Sequence, residues 1–314
     1  MTYNVRCADD ILRYEKDGSI VTRAPRVMRN ILAKNPDSIG FQEVTTTQGS
    51  STAEWFGLLR LLLYKNYKGF GSGRNEDHTG EANPIFYNTN ALELVESGTK
   101  WLSPTPDVPG SKFEDTPDHP TDGLPRIMTY GIFKRKADKI TYMHINTHLD
   151  YKCYQNRVSQ IKVVYQFIKK YENKYPIILT GDFNSGSKNP KDAVPYLLNN
   201  GYTNSQNEAK SVIKHWTYPT IDYINNIFGT CKKRGYHYIG VSINKQKYCD
   251  KYCDEENSKT IDFILKRSIS PIIFTKYEAM TDITVSNGIS SDHYPIYVEG
   301  QFSSRIQGLK LLDH

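Results

Sequence analysis

Along this chain, strand-like runs repeatedly begin or end on a residue that can handle protons, cations or phosphate oxygens. Asn4 follows β-prone Thr2 and Tyr3, and Glu43 ends the run Ile39-Gly40-Phe41-Gln42. Glu81 precedes Pro84–Tyr87, while His148 and Asp150 close Met143–Thr147. Asp182 and Asn184 follow the apolar run Ile177–Thr180 through Gly181. Asp262 lies within Thr260–Ile264, and Asp292 and His293 precede Tyr294-Pro295-Ile296. Polar groups abutting apolar strands are costly unless paired or bound to a cation, and strand ends let a rigid frame hold functional groups together. Carboxylates, amides and imidazoles gathered in this way can hold a cation, move protons and contact anionic oxygens. Taken singly, each residue has a plainer meaning. Gly181-Asp182-Phe183-Asn184 is a turn, Glu43 a cap or surface partner, and His148 a half-buried histidine. Asp262 resists that reading, because alternation puts it on one sheet face between Ile261 and Phe263.

The elements that must position these groups alternate in kind. Thr2–Arg6, Ser38–Gln42, Pro84–Tyr87, Pro176–Thr180, Thr260–Leu265 and Tyr294–Gln301 read as strands. Arg126–Lys134 and Ile140–His148 read as a hairpin. Ala24–Asn35 carries Val27, Met28, Ile31 and Leu32 on one helical face, with Pro25 suited to a first turn. Trp55–Tyr64 is helical, and Arg157–Tyr171 is the clearest helix, with Ile161, Val164, Tyr165 and Ile168 at helical spacing. Strands, helices and hairpins together predict a mixed-sheet α/β protein. One domain over 1–302 is expected, with loop insertions near 103–125 and 230–258 and a tail at 303–314.

Composition narrows the function classes without choosing among them. The chain is 314 residues long, 38% hydrophobic and 24% charged, with a net charge of +6. That is the make-up of a soluble globular protein, expected to be a monomer, and no apolar run approaches the roughly 18 residues that would cross a bilayer. The mild positive charge suits an anionic substrate such as a nucleic acid, a phosphorylated metabolite or a lipid head group. No secretory signal is present, yet Thr2–Val5 already reads as a core strand, so an upstream leader missing from this numbering is compatible with the sequence; localisation stays open.

In their order along the chain, these segments resemble the endonuclease/exonuclease/phosphatase superfamily with its pancreatic-deoxyribonuclease-like fold. The segments are Thr2–Arg6, Gly40–Val44, Gly73-Arg74 with Gly80-Glu81, Asn146–Asp150, Gly181–Asn184, Ile261–Phe263 and Ser291–Pro295. The resemblance spans residue 2 to about residue 300 and is most similar to a bacterial-type branch of unassigned substrate. It implies a four-layer α/β/β/α sandwich of two packed mixed, mainly antiparallel sheets flanked by helices. It implies Glu43 as principal ligand of Mg²⁺ or Mn²⁺, supported by Asn4 and Asp292, in keeping with the hard oxygen ligands that Mg²⁺ prefers. Asp182 would take a proton from the attacking water and Asn184 would orient it. His293 paired with Asp262, and His148 paired with Glu81, would contact the phosphate. A carboxylate behind each imidazole raises its pKa and fixes its tautomer. Arg74, Arg126 and Asp150 match substrate-binding positions.

The alternatives differ in substrate and in class. A phosphodiesterase or nuclease is preferred on the basic charge and the two histidines. A phosphomonoesterase acting on a small-molecule, sugar or lipid head-group phosphate is the alternative, and a non-catalytic binding module on the same fold the third. Lys232, Lys233 and Arg234 could touch a nucleic-acid backbone, though a solvated loop is the plainer meaning. The acidic residues Asp107, Glu114, Asp115, Asp118 and Asp122 sit in the loop expected to wall the site, where they would repel a polyanion. Among the five cysteines, Cys231, Cys249 and Cys253 with His237 could form a structural Zn²⁺ site, but their spacing is not a tight paired pattern, and a disulfide or free thiols is the preferred reading.

Overall fold

The computed structural model describes residues 1–7, 20–46, 54–186, 189–213, 217–218, 260–280 and 290–303. The zinc-site candidates, the basic run 232–234, the whole 230–258 insertion and residues 304–314 of the tail lie outside the described residues.

The elements in chain order are β1 (Thr2–Asn4), α1 (Ile20–Lys34), β2 (Ser38–Gln42), β3 (Val44–Thr46), α2 (Trp55–Leu63), β4 (Tyr67–Phe70), β5 (Gly80–Ala82) and β6 (Ile85–Asn88). Next come β7 (Leu92–Trp101), β8 (Ile127–Arg135), β9 (Thr141–His148), α3 (Tyr154–Lys169), β10 (Ile177–Asp182) and α4 (Ala193–Asn199). The last are β11 (Tyr202–Asn204), α5 (Ser205–Glu208), β12 (Ser211–Ile213), β13 (Asp262–Arg267), β14 (Ile272–Ala279) and β15 (Ile296–Phe302). One sheet runs β12-β14-β15-β1-β2-β6-β4 and the other β11-β13-β10-β9-β8-β7, with β3 and β5 paired separately. Most neighbours are antiparallel; β1 with β2, β9 with β10 and β12 with β14 are parallel. No helix among the described residues is long and apolar enough to cross a membrane.

Alternation along the central strands explains the layers. On β2, Ile39 and Phe41 join Val27 and Ile31 of α1 and Trp55 and Leu59 of α2 in one buried cluster. On β9 and β10, Met143, Ile145 and Leu179 pack with Ile161, Val164 and Ile168 of α3. The intervening residues point the other way, into the space between the sheets. There Gln42 Nε2 donates to Asn146 Oδ1 at 2.6 Å, Thr180 Oγ1 donates to the same oxygen at 3.0 Å, and His144 Nε2 meets Thr180 Oγ1 at 2.8 Å. Asn146 Nδ2 donates to the carbonyls of Phe41 at 2.7 Å and Asn83 at 3.1 Å. The seam between the sheets is therefore polar and hydrogen-bonded here. Gly40 is what lets the sheets approach, since a Cβ there would fall 2.4 Å from Asn146 Oδ1 and 2.5 Å from Thr180 Oγ1.

The long strands β7 and β14 and the short elements β3, β4, β5, α4, β11, α5 and β12 escape the sequence pattern, and two helices begin elsewhere. β7 exposes Glu93 and Glu96 along a mostly solvent-facing edge, so it lacks the apolar run that marks a strand. β14 was likewise unmarked. α1 starts at Ile20, which puts Pro25 inside the helix rather than in its first turn. α3 begins at Tyr154, three residues before the expected Arg157, and Asp150 accepts the amides of Lys152 and Cys153 in the turn that leads into it.

Candidate active site

Strand register brings the polar residues together. Asp182 at the end of β10 lies opposite His148 on one side and Asp262 on the other. Asn4 at the end of β1 lies opposite Gln42, so Glu43 follows immediately. Asn4 Nδ2 bridges the two sheets, donating to Glu43 Oε1 at 2.8 Å and to Asp182 Oδ2 at 3.0 Å. Glu43 and Asn184 both hold positive φ, at 59° and 49°, a conformation that costs energy in non-glycine residues and clusters at functional sites. In return, Glu43 Oε2 accepts from the amide of Cys7 at 2.9 Å, and Asp182 Oδ1 from the amide of Asn184 at 2.9 Å.

The two imidazoles approach the same oxygen from opposite sides. His148 Nε2 is 3.6 Å and His293 Nε2 3.7 Å from Asp182 Oδ2. His293 Nδ1 bonds Asp262 Oδ2 at 2.8 Å. Burial disfavours its charge, but Asp262 and Asp182 outweigh that and raise it to about 10. Asp182 itself is pushed up to about 7 by burial and by Asp262. Burial, then Glu81 and Asp292, also raise Glu43.

His148 departs from expectation. Glu81 Oε2 stands 3.9 Å from its Nδ1, beyond hydrogen-bond reach, and instead pairs with Arg74 at 3.0 Å. Burial, followed by Arg126, Arg74 and His293, holds His148 well below its ordinary value. Asn184 Nδ2, anchored on the carbonyl of Leu149 at 3.1 Å, donates to His148 Nε2 at 3.0 Å. That leaves the ring neutral with its proton on Nδ1. One histidine is an imidazolium and the other is not.

The remaining expected residues fall in three places. Arg74 and Arg126 border His148, each already holding a carboxylate, since Arg126 Nε donates to Asp122 at 3.0 Å. Asp292 is ion-paired with Arg6, a residue the sequence reading left without a role. Asp150 is fully buried and spent. Its oxygens accept from the amides of Lys152, Cys153 and Asp122 and from Asn156 Nδ2, so it fixes the turn ahead of α3 and ties down the 103–125 loop; as placed it offers no free oxygen to a substrate. The loop's acids are partly occupied too: Asp107 pairs with Lys100, Asp115 accepts the amide of Thr121, and Asp122 holds Arg126.

Two sets of ligand atoms could hold a cation: Glu43, His148 and Asp182, and Asp182, Asp262 and His293, in each case within 4.8 Å of one another. Carboxylates raised by burial and by neighbouring acids are what a hard divalent cation relieves, and Glu43, raised by burial, Glu81 and Asp292, and Asp182, raised by burial and Asp262, fit such an ion. Asn4 Oδ1 is taken by the amide of Arg6 at 2.9 Å, and its NH₂ is turned toward the carboxylates.

Comparison with known proteins agrees with this layout. A crystal structure from Bacteroides vulgatus described as an endonuclease/exonuclease/phosphatase is 24% identical, with a TM-score of 0.74 over 96% of this chain and 97% of that one. The Bacteroides thetaiotaomicron structure described as mannosyl-6-phosphatase is 23% identical, with a TM-score of 0.70 over 96% and 98%. An uncharacterized protein of Acanthamoeba polyphaga mimivirus is 30% identical over 168 residues, 53% of this chain and 59% of that protein. The family model described as Endonuclease/Exonuclease/phosphatase family matches residues 1–293, and the chain belongs to that family.

Proposed function

We propose that this protein hydrolyses phosphate esters with the help of a divalent cation, and that its substrate is a compact phosphomonoester. The observation that carries the reading is Asp182 Oδ2, placed within 4 Å of both imidazole nitrogens and bonded to Asn4. A carboxyl group raised to about 7 can accept a proton from water at neutral pH. His293, charged and fixed by Asp262, donates from Nε2 to a phosphate oxygen as negative charge develops there. His148 is neutral, with its Nδ1 proton buried on the Glu81 side and its Nε2 turned toward Asp182, and Asn184 keeps it in that tautomer. Glu43, with Asp182 beside it, holds Mg²⁺ or Mn²⁺; Asn4 positions the two carboxylates and Asp292 is steadied by Arg6. When bound, the cation supplies charge neutralisation at the phosphate and the leaving oxygen. Water adds to phosphorus as its proton passes to Asp182, the bond from phosphorus to the ester oxygen breaks, and that oxygen takes a proton from solvent and leaves as the alcohol.

The choice of a monoester over a polymer rests on the wall beyond His148. Arg74 with Glu81 and Arg126 with Asp122 are two ion pairs without net charge, whereas binding of a polyanion draws its strength from unneutralised cations. The basic run Lys232-Lys233-Arg234, which could touch a nucleic-acid backbone, lies outside the described residues. Purified protein with Mg²⁺ or Mn²⁺ should release inorganic phosphate from small phosphomonoesters and leave plasmid and RNA intact. Asp182→Asn should lower turnover by at least about a thousandfold while circular dichroism stays unchanged. Cleaved polymers without phosphate release would restore the diesterase reading, and no metal-dependent turnover on any ester would favour a binding module.

A further inference from the structure

Thr217 and Tyr218 belong to none of the segments that pointed to the site, yet they hold its most tightly paired members. Thr217 is buried, and its Oγ1 accepts from the amides of Ile261 and Asp262, both at 3.0 Å. Its carbonyl accepts from the amide of Tyr294 at 2.9 Å. One residue therefore fixes the backbone on either side of the Asp262–His293 pair. The ring of Tyr218 follows directly, with its centroid 5.0 Å from that of His293 and the planes inclined by 56°. Tyr218 is only half-buried, so the residue is not sealed from solvent. Its phenol is pushed up to about 12 by burial, with Asp292 raising it, Arg6 opposing and Glu43 and Asp182 adding. Those are the charges that surround the cation-binding pair, and the phenol is neutral at physiological pH.

The two sides of the site thus differ in kind. Beyond His148 stand the guanidinium groups of Arg74 and Arg126, and beyond His293 stands an aromatic face. A phosphate ester also has two halves, and since both guanidinium groups are already paired with carboxylates, it is the organic group that meets a distinctive partner in the aromatic face. Aromatic faces contact flat rings, whether aryl groups or the C–H face of a sugar, better than open chains. We propose that Tyr218 is a specificity-determining residue whose ring face receives the organic part of the ester, and that the preferred alcohol carries a ring. This rests on the phosphoester reading above.

Calorimetry with Mg²⁺ should compare phenyl phosphate, glucose 6-phosphate and glycerol 3-phosphate on wild type, Tyr218→Ala and Tyr218→Phe. The ring esters should bind wild type about tenfold more tightly than the open-chain ester. Tyr218→Ala should bring that ratio to about one, whatever happens to kcat, and Tyr218→Phe should keep it. Loss of preference for phenyl phosphate alone identifies an aryl alcohol, and for glucose 6-phosphate alone a sugar. Equal weakening of all three esters, or no ring preference in wild type, overturns the proposal, leaving Tyr218 as a support for His293. Tyr218→Leu stands in if the alanine variant does not fold. Ring-selective binding without turnover would keep this inference and refute hydrolysis; turnover without ring selectivity would do the reverse.

Discussion

Gly40→Ala and Asn146→Ala, made singly and together, probe the seam on which the active site sits. A methyl group at Gly40 would lie 2.4 and 2.5 Å from Oδ1 and Cγ of Asn146 and 2.5 Å from Thr180 Oγ1. Both strands are central and buried, so the clash cannot be relieved by a side chain swinging into solvent. Overpacking of this kind costs about 1–3 kcal/mol. Asn146→Ala removes the amide that serves Phe41, Asn83 and Pro84 and the oxygen that serves Gln42 and Thr180. Buried partners left unmatched cost about 1–3 kcal/mol each at most, though Gln42 keeps Thr2 Oγ1 and Thr180 keeps the carbonyl of Ile145. A total of about 2–4 kcal/mol follows. In the double variant two of the three short contacts vanish and the new methyl fills part of the space vacated. The two changes should therefore be less than additive by about 1–2 kcal/mol. Urea unfolding of the four proteins measures the cycle. Additivity within about 0.5 kcal/mol would refute the claim that Gly40 is required by Asn146. Gln42 precedes Glu43 and Asn83 follows Glu81 by two residues, so Asn146→Ala should also lower turnover in protein that remains folded.

Burial, with the amino-terminal charge adding, pushes His144 down to about 3; a histidine neutral in the fold contributes stability above its unfolded value near 6.5 that is lost as pH falls toward 3. That loss is on the order of 5 kcal/mol, and His144→Gln should flatten the fall in urea stability between pH 7 and pH 4. Asp262→Asn removes the largest influence raising His293, so turnover should drop by about a hundredfold and decline as pH rises through neutrality rather than near 10. A pH–kcat profile parallel to wild type would contradict that role. Asp150→Ala should cost about 2–4 kcal/mol by leaving the amides of Lys152, Cys153 and Asp122 without their acceptor and freeing the 103–125 loop, lowering the thermal midpoint; a pure KM effect with unchanged stability would instead mark it as a substrate ligand. Chelation should abolish turnover, Mn²⁺ or Mg²⁺ should restore it, and Glu43→Gln should raise the metal concentration needed for half-maximal rate by at least about tenfold.

Much of this layout was legible in the sequence because period-2 alternation and polar strand ends are local properties. Ile39, Phe41, Met143, Ile145 and Leu179 announce the helix-facing sides of their strands, and that alone assigns Gln42, His148 and Asp182 to the opposite face. What could not be read depends on partners far apart in the chain. β7 carries no apolar run because its edge faces solvent, and Thr217 and Tyr218 matter only because the fold delivers them to Asp262 and His293. The two histidines show the limit most clearly. Each sits beside a carboxylate in the aligned motifs, and the same expectation of a raised pKa attached to both. Asp262 reaches His293 at 2.8 Å with no competing cation bonded to it. Glu81 stops 3.9 Å short of His148 because Arg74 claims it at 3.0 Å. About one ångström and one guanidinium decide which imidazole is charged. A site with one charged and one neutral ring can offer a strong donor on one side of a phosphate and a tautomer fixed by Asn184 on the other, an asymmetry that two equally charged rings flanking Asp182 would not provide.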